Sequence, residues 1–216
     1  MAVPTRVQTQ GNFRTAAYLD FIQMVTGVGL ISFMWSHMIL VASINLGPGV
    51  MNTIAGFLED TYLAQTGGPL IGLVFLGHFV LAARKVPFRS QEQRTIWAHS
   101  KRLHHLDTWL WVVQAVTAMI ILIMGAIHMW TVLTNLPITA AKSAARIQGG
   151  YWLVFYLILL PLVELHVGVG FYRIGVKWGV ITRVRRHFFK RFENLVTLVF
   201  ILIGAITLYT FYVIQF

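Results

Sequence analysis

Cysteine is absent from this 216-residue chain. Without it there is no disulfide, no thiolate metal site, no iron–sulfur ligation and no covalent attachment of c-type haem. Charge is scarce as well. Only 11% of residues are charged while 57% are hydrophobic, against about 25% and about 45–50% in an ordinary soluble domain. A soluble globule of this size could not be covered by so few charges. Disorder is excluded too, since it needs low hydrophobicity and high charge. No Gly-rich nucleotide fingerprint occurs. No apolar core followed by a small-residue cleavage site opens the chain, so no signal peptide is expected. Neither an internal repeat nor a low-complexity tract is evident.

What the chain has is long apolar runs. They predict helices over about 20–46, 69–86, 108–134, 151–176 and 192–216, each compatible with the roughly 20 residues needed to cross about 30 Å of hydrocarbon. The second run is short, so it is expected to continue as polar helix past Arg84 and Lys85, with Pro69 in its first turn. The stretch Met51–Tyr62 could form a short interfacial helix. The fold class expected is an all-α membrane protein, one domain over 1–216, built as a five-transmembrane-helix bundle.

The net charge of +10 would suggest nucleic acid in a soluble protein. Here 15 of the 17 lysines and arginines fall on one side of the spans, and only Lys142 and Arg146 on the other. The basic side includes Arg6, Arg14, Arg84, Lys85, Arg173 and Lys177. The positive-inside rule then puts the N-terminus in the cytoplasm and the C-terminus outside. A multi-pass membrane protein is expected, with lipid as a partner and no nucleic acid.

Ionisable groups inside apolar spans are costly and mark function by default. Four histidines lie there, each on a different helix: His37, His78, His128 and His166. At helical rise, His37 stands about 25 Å and His128 about 31 Å above the inner end of its span, while His78 and His166 each stand about 10 Å above it. Two levels result, each with two imidazoles. A haem between helices needs one imidazole from each of two helices at matched height, and this arrangement occurs twice. Gly27, Gly29, Gly77, Gly125, Gly168 and Gly170 offer room for a flat macrocycle. A single intramembrane histidine is more often a packing or proton-relay residue; two height-matched pairs favour two haems. Two imidazoles per level are too few for a zinc centre. Glu164, two residues before His166, faces away from it and is either a protonated core residue or a proton carrier. Glu59, in the outer connection beside Asp60, is either a solvated loop acid or a base for quinol oxidation.

The order His37, Glu59, His78, His128, then Glu164-Leu165-His166 with Lys177 eleven residues on, resembles the dihaem cytochrome b subunit of quinol:fumarate reductases, a branch of the succinate:quinone oxidoreductases. The resemblance spans essentially the whole chain and rests on the set and its spacing. It implies that His78 and His166 ligate a proximal haem and His37 and His128 a distal one, the pairing that height already suggests. It implies two b haems and menaquinone as cofactors, and anaerobic respiration as the setting. Gln23, Trp111 and Lys177 match haem-propionate partners. Glu59 matches a carboxylate near the menaquinol site, and Glu164 and Lys85 match a transmembrane proton pathway. An iron–sulfur subunit and an FAD-containing flavoprotein on the cytoplasmic face are the implied partners, and a dimeric complex is compatible with them. The chain is shorter than relatives with extended termini, which touches the docking surface and the quinone pocket.

Three alternatives stand beside this reading. One is the dihaem cytochrome b of a hydrogenase or formate dehydrogenase. Another is a haem-free proton-coupled transporter. The last is a bare quinone-binding anchor with fewer haems.

Overall fold

The computed structural model describes residues 10–87 and 89–216, the side chains of 10–12 excepted, so Arg6 lies outside the described residues. Eight α-helices and two short 3₁₀ turns account for the described chain, and no strand occurs among the described residues. Five helices are long and apolar enough to cross a membrane. They are α1 (Gln10–Ala42), α3 (Leu63–Ala83), α5 (Leu106–Leu133), α7 (Tyr151–Lys177) and α8 (Arg186–Val213). Three shorter helices join them: α2 (Pro48–Asp60), α4 (Ser90–Leu103) and α6 (Ala140–Gln148).

The joints have local causes. A 3₁₀ turn, Ser43–Leu46, ends α1, and Gly47 then takes φ 118°, a conformation that favours glycine. Pro48 opens α2, where its missing N–H is no loss. The Thr139 hydroxyl caps α6 by accepting the Lys142 N–H at 3.2 Å.

The second crossing departs from expectation at both ends. It begins at Leu63, so Pro69 sits inside the helix and not in its first turn. It stops at Ala83 and does not run on past Arg84 and Lys85, which form a turn. The extra length comes from the polar segment Leu63–Gly68 at the far end, giving 21 residues, about 31 Å. Proline is tolerated at such depth because neighbouring helices and local adjustment re-satisfy the freed backbone groups. The first and fifth crossings also begin earlier than the apolar runs do, because helix continues through polar sequence outside the hydrocarbon.

Helices α1, α3, α5 and α7 form a ring in that order: α1 packs on α3, α3 on α5, α5 on α7 and α7 on α1. Helices α1 and α5 therefore face each other across one diagonal, and α3 and α7 across the other. Helix α8 lies outside the ring in the groove between α7 and α1. The ends of α3 and α7 and the starts of α5 and α8 share one end of the bundle, here termed the basic end. Helices α2 and α6 close the opposite end, where Ile44, Met51, Ala140, Ala144, Ile147 and Phe211 make a buried cluster. The long apolar side chains left on the outer faces match a lipid surround.

The α7–α8 seam is held close by glycine. A Cβ at Gly168 would lie 2.1 Å from Thr197 Oγ1 and 2.6 Å from Glu193 Oε1. Neither atom retreats easily: Thr197 is β-branched, and Glu193 is ion-paired with Lys190. Gly168→Ala should therefore destabilise the seam by about 1–3 kcal/mol, the usual cost of overpacking, read as a lowered melting temperature of the purified protein in detergent.

Candidate functional site

The four ring helices each carry one intramembrane histidine to the bundle interior. His37 of α1 and His128 of α5 meet across their diagonal, with ring centroids 6.0 Å apart and planes at 63°. Two imidazoles that each bring a nitrogen within about 2 Å of one metal from opposite sides have ring centres about 6 Å apart. The expected pairing of these two residues at one level is therefore realised in the fold. His37 also stacks on Phe33 at 5.5 Å.

His78 of α3 and His166 of α7 occupy the other diagonal. Each is held by a threonine of the preceding crossing: Thr26 Oγ1 lies 3.0 Å from His78 Nδ1, and Thr117 Oγ1 lies 3.0 Å from His166 Nδ1. Each hydroxyl also lies within hydrogen-bond distance of a carbonyl of its own helix, Thr26 of Ile22 O at 2.9 Å and Thr117 of Val113 O at 2.8 Å. A hydroxyl that gives its single proton to that carbonyl accepts from Nδ1–H, and this tautomer leaves Nε2 with its lone pair free, the form in which imidazole ligates iron. His128 has a comparable partner in the Tyr156 hydroxyl, 2.9 Å from its Nδ1.

Space is left beside these rings. A Cβ on Gly27 would come within 3.1 Å of His78 Cε1 and 3.5 Å of Ile174 Cδ1, so α1 must be bare there for the α3 imidazole to turn toward α7. Among the described residues no three His, Cys, Asp or Glu side chains converge as a metal cage; the donor set is imidazole pairs. Two cross-bundle pairs, three of whose four imidazoles have an Nδ1 partner, and a glycine-lined approach fit bis-imidazole haem sites.

At the basic end the carboxylate of Asp20 gathers three cations. Lys85 and Lys177 each approach to 2.6 Å and Arg84 to 3.2 Å. Burial holds the Lys85 ammonium below its ordinary pKa, against the pull of Asp20. Lys177 also lies over the Trp178 ring at 5.7 Å. One turn along α1 from Asp20, Gln23 presents a buried side-chain oxygen with no hydrogen-bond partner. Trp111 sits at the same end on α5, three residues before Gln114. The structure thus gathers Lys85 and Lys177 around one carboxylate, with Gln23 one turn away.

The remaining carboxylates stand apart. Leu160, Glu164 and Gly168 lie on one face of α7 at four-residue spacing. Leu160 borders Gly204 of α8, and Gly168 borders Glu193 and Thr197 of α8. Glu164 therefore points into the α7–α8 seam, away from His166 and far from Lys85. It is 1% exposed, and both carboxyl oxygens lack a hydrogen-bond partner. Glu59, at the end of α2, is half-buried and accepts the Ile138 backbone N–H. Asn52 accepts that of Ala140 at 2.8 Å. Together they latch α2 to the start of α6.

Asp20, Thr26, Thr117, Tyr156, Gln114 and Arg173 were not legible as site residues one at a time. A signal was present, however. Gln-x-x-Thr precedes the histidine at the same spacing in α1 (Gln23, Thr26, His37) and in α5 (Gln114, Thr117, His128). At the level of whole segments no repeat is evident, and at these positions there is one.

Comparison with known proteins gives a consistent picture. Residues 90–211 match the family model described as succinate dehydrogenase/fumarate reductase transmembrane subunit. The chain is 31% identical over 201 residues to the fumarate reductase cytochrome b subunit of Helicobacter pylori strain J99, covering 88% of this chain and 78% of that protein. It is 35% identical over 175 residues to the fumarate reductase cytochrome b subunit of Wolinella succinogenes, covering 77% and 68% respectively.

The threonine contacts give a prediction. Thr26→Val and Thr117→Val each keep side-chain shape and remove the hydroxyl beside Nδ1. If the His78/His166 pair holds a haem, each substitution should weaken its retention by about 10–100-fold, as read from haem content, and leave the His37/His128 level unchanged.

Proposed function

This chain belongs to the succinate dehydrogenase/fumarate reductase transmembrane subunit family, and from that premise we propose that it is the dihaem, menaquinol-oxidising membrane anchor of a fumarate reductase. It is a multi-pass protein of the bacterial inner membrane. The observation that carries the finer reading is the two cross-bundle imidazole pairs, with Nδ1 engaged at His78, His128 and His166. The basic end faces the cytoplasm, by the distribution of lysine and arginine. There it meets an iron–sulfur subunit and, beyond it, a flavoprotein that carries the dicarboxylate chemistry, because this chain has no cysteine for clusters.

The two b haems supply one-electron steps between a two-electron quinol and the soluble partners. The chain's own residues do the rest. His37 and His128 hold the outer group, and His78 and His166 the inner one. Thr26, Thr117 and Tyr156 keep the four-helix ligand set oriented. Lys177, Gln23 and Trp111 receive propionates at the basic end, where a cation can meet a carboxylate. Glu59 lies at the opposite end. Its Oε1 is engaged by Ile138 N–H, which leaves Oε2 to take a proton from menaquinol. Moving electrons inward would charge the membrane unless protons follow, and Glu164, inside the α7–α8 seam, is the carboxyl placed to carry them. Lys85 receives them at the basic surface.

Redox-titrated visible spectra of the purified complex test the reading. Two b-type signals per chain are expected, with His37→Ala and His78→Ala each removing a different one. A colourless complex, or one signal lost in both variants, defeats it. Glu164→Gln should keep both signals and lose quinol-driven fumarate reduction by at least about tenfold, while reduction driven by an artificial donor to the soluble subunits persists. Full quinol-driven turnover in that variant would remove Glu164 from the proton route.

A further inference from the structure

The bundle is built twice. One offset of 91 residues relates Gln23 to Gln114, Thr26 to Thr117 and His37 to His128; one of 88 relates His78 to His166 and Lys85 to Arg173. The elements repeat in the same order, crossing, short helix, crossing: α1–α2–α3, then α5–α6–α7. Contacts repeat as well. Thr26 holds His78 as Thr117 holds His166, both at 3.0 Å. In the ring α1–α3–α5–α7 the two halves are therefore related by an approximate two-fold axis along the bundle.

Such an axis has a chemical consequence at the inner site. A haem clasped by His78 and His166 has its plane between α1 and α5. A two-fold axis in that plane maps the macrocycle onto itself and exchanges its two propionates. Each propionate then needs its own polar corner. On the α1 side stand Gln23, Lys85 and Lys177, with Asp20 between the cations. On the α5 side the equivalents of Gln23 and Lys85 are Gln114 and Arg173. Arg173 Nη1 donates to Gln114 Oε1 at 2.6 Å. Gln114 Nε2 is directed toward Gly170, where a Cβ would come within 3.0 Å of it. Trp111 takes the place that Asp20 has on α1. Arg173 is half-buried and, among the described residues, no carboxylate pairs with it; Asp107, the nearest acid in sequence on α5, pairs with Arg186. A guanidinium with five donors and a single amide partner is an incomplete site for a carboxylate.

We propose that Arg173, the two-fold counterpart of Lys85, is positioned by Gln114 to bind the second propionate of the inner haem, opposite the corner where Lys177 and Gln23 receive the first. This rests on the haem reading above. A cation at a propionate favours the reduced haem, so its removal lowers that haem's midpoint potential.

The test is redox titration of the purified complex carrying Arg173→Gln, Arg173→Lys or Lys177→Gln. Arg173→Gln and Lys177→Gln should each lower the midpoint of the haem that His78→Ala removes and leave the other unmoved. Arg173→Lys, which keeps the charge and loses the fork, should move the same haem less. No shift in Arg173→Gln, or equal shifts of both haems, overturns the proposal. If Arg173→Gln does not assemble, Arg173→Lys decides: a shift confined to the inner haem supports it, and no shift or a shared shift overturns it. A parent complex without haem would defeat the reading of function; a parent with two haems and an unmoved Arg173→Gln defeats only this corner.

Discussion

A histidine inside a bilayer is best prepared for a metal when one ring nitrogen is already satisfied, and the fold meets that constraint at His78, His128 and His166. An unpaired N–H in hydrocarbon is expensive. The threonine hydroxyls of α1 and α5 remove the expense for His78 and His166 without adding charge. They can do so only because they stand one turn above carbonyls of their own helices, which take their protons. Helix order, crossing and glycine placement are all tied to this contact. The threonine must lie on the crossing next to the one that carries the histidine, and α1 must be bare at Gly27 for the imidazole to turn inward.

Much of the fold was readable because hydrophobic run length is a direct consequence of bilayer thickness. Five crossings, and the interfacial helix after the first, correspond to α1, α3, α5, α7, α8 and α2. The ends were less legible. Helix continues into polar sequence beyond the hydrocarbon at Gln10–Leu19 and Arg186–Asn194, where no apolar signal marks it. In the second crossing Gly67, Gly68 and Pro69 read as a boundary, yet they lie inside a helix because the bilayer penalises any unfolding of backbone more than it penalises proline. Helices α4 and α6 carry no apolar run at all.

The four intramembrane histidines were legible in the sequence, and the side chains that contact them were not. Four histidines in apolar surroundings stand out by chemistry alone. Thr26 and Thr117 do not, because threonine is ordinary in a membrane helix, and Asp20 lies where a span meets the surface and an acid is unremarked. Only the coincidence of their offsets, shared by Gln23 and Gln114, distinguishes them. The Asp20 cluster needed coordinates as well, since Arg84 and Lys85 come from the turn after α3 and Lys177 from the end of α7, which the sequence does not place side by side.

The approximate two-fold axis is broken in particular places, and each break has a structural cause. Helix α8 has no counterpart in the first half; it covers the outer face of α7 and leaves that of α3 bare. The equivalent of Glu164 on α3 is Leu76, and that of Gly168 is Val80, both exposed apolar side chains on the lipid face. A carboxyl at Leu76 would meet hydrocarbon. At Glu164 it meets protein, because α8 supplies the cover. Asp20, in the same way, faces Trp111 across the axis, so one corner of the inner site carries a shared network of cations and the other a single guanidinium. The repeat accounts for the two histidine pairs, and the fifth crossing covers the buried, unpartnered carboxyl of Glu164 that sets the two sides of the bundle apart.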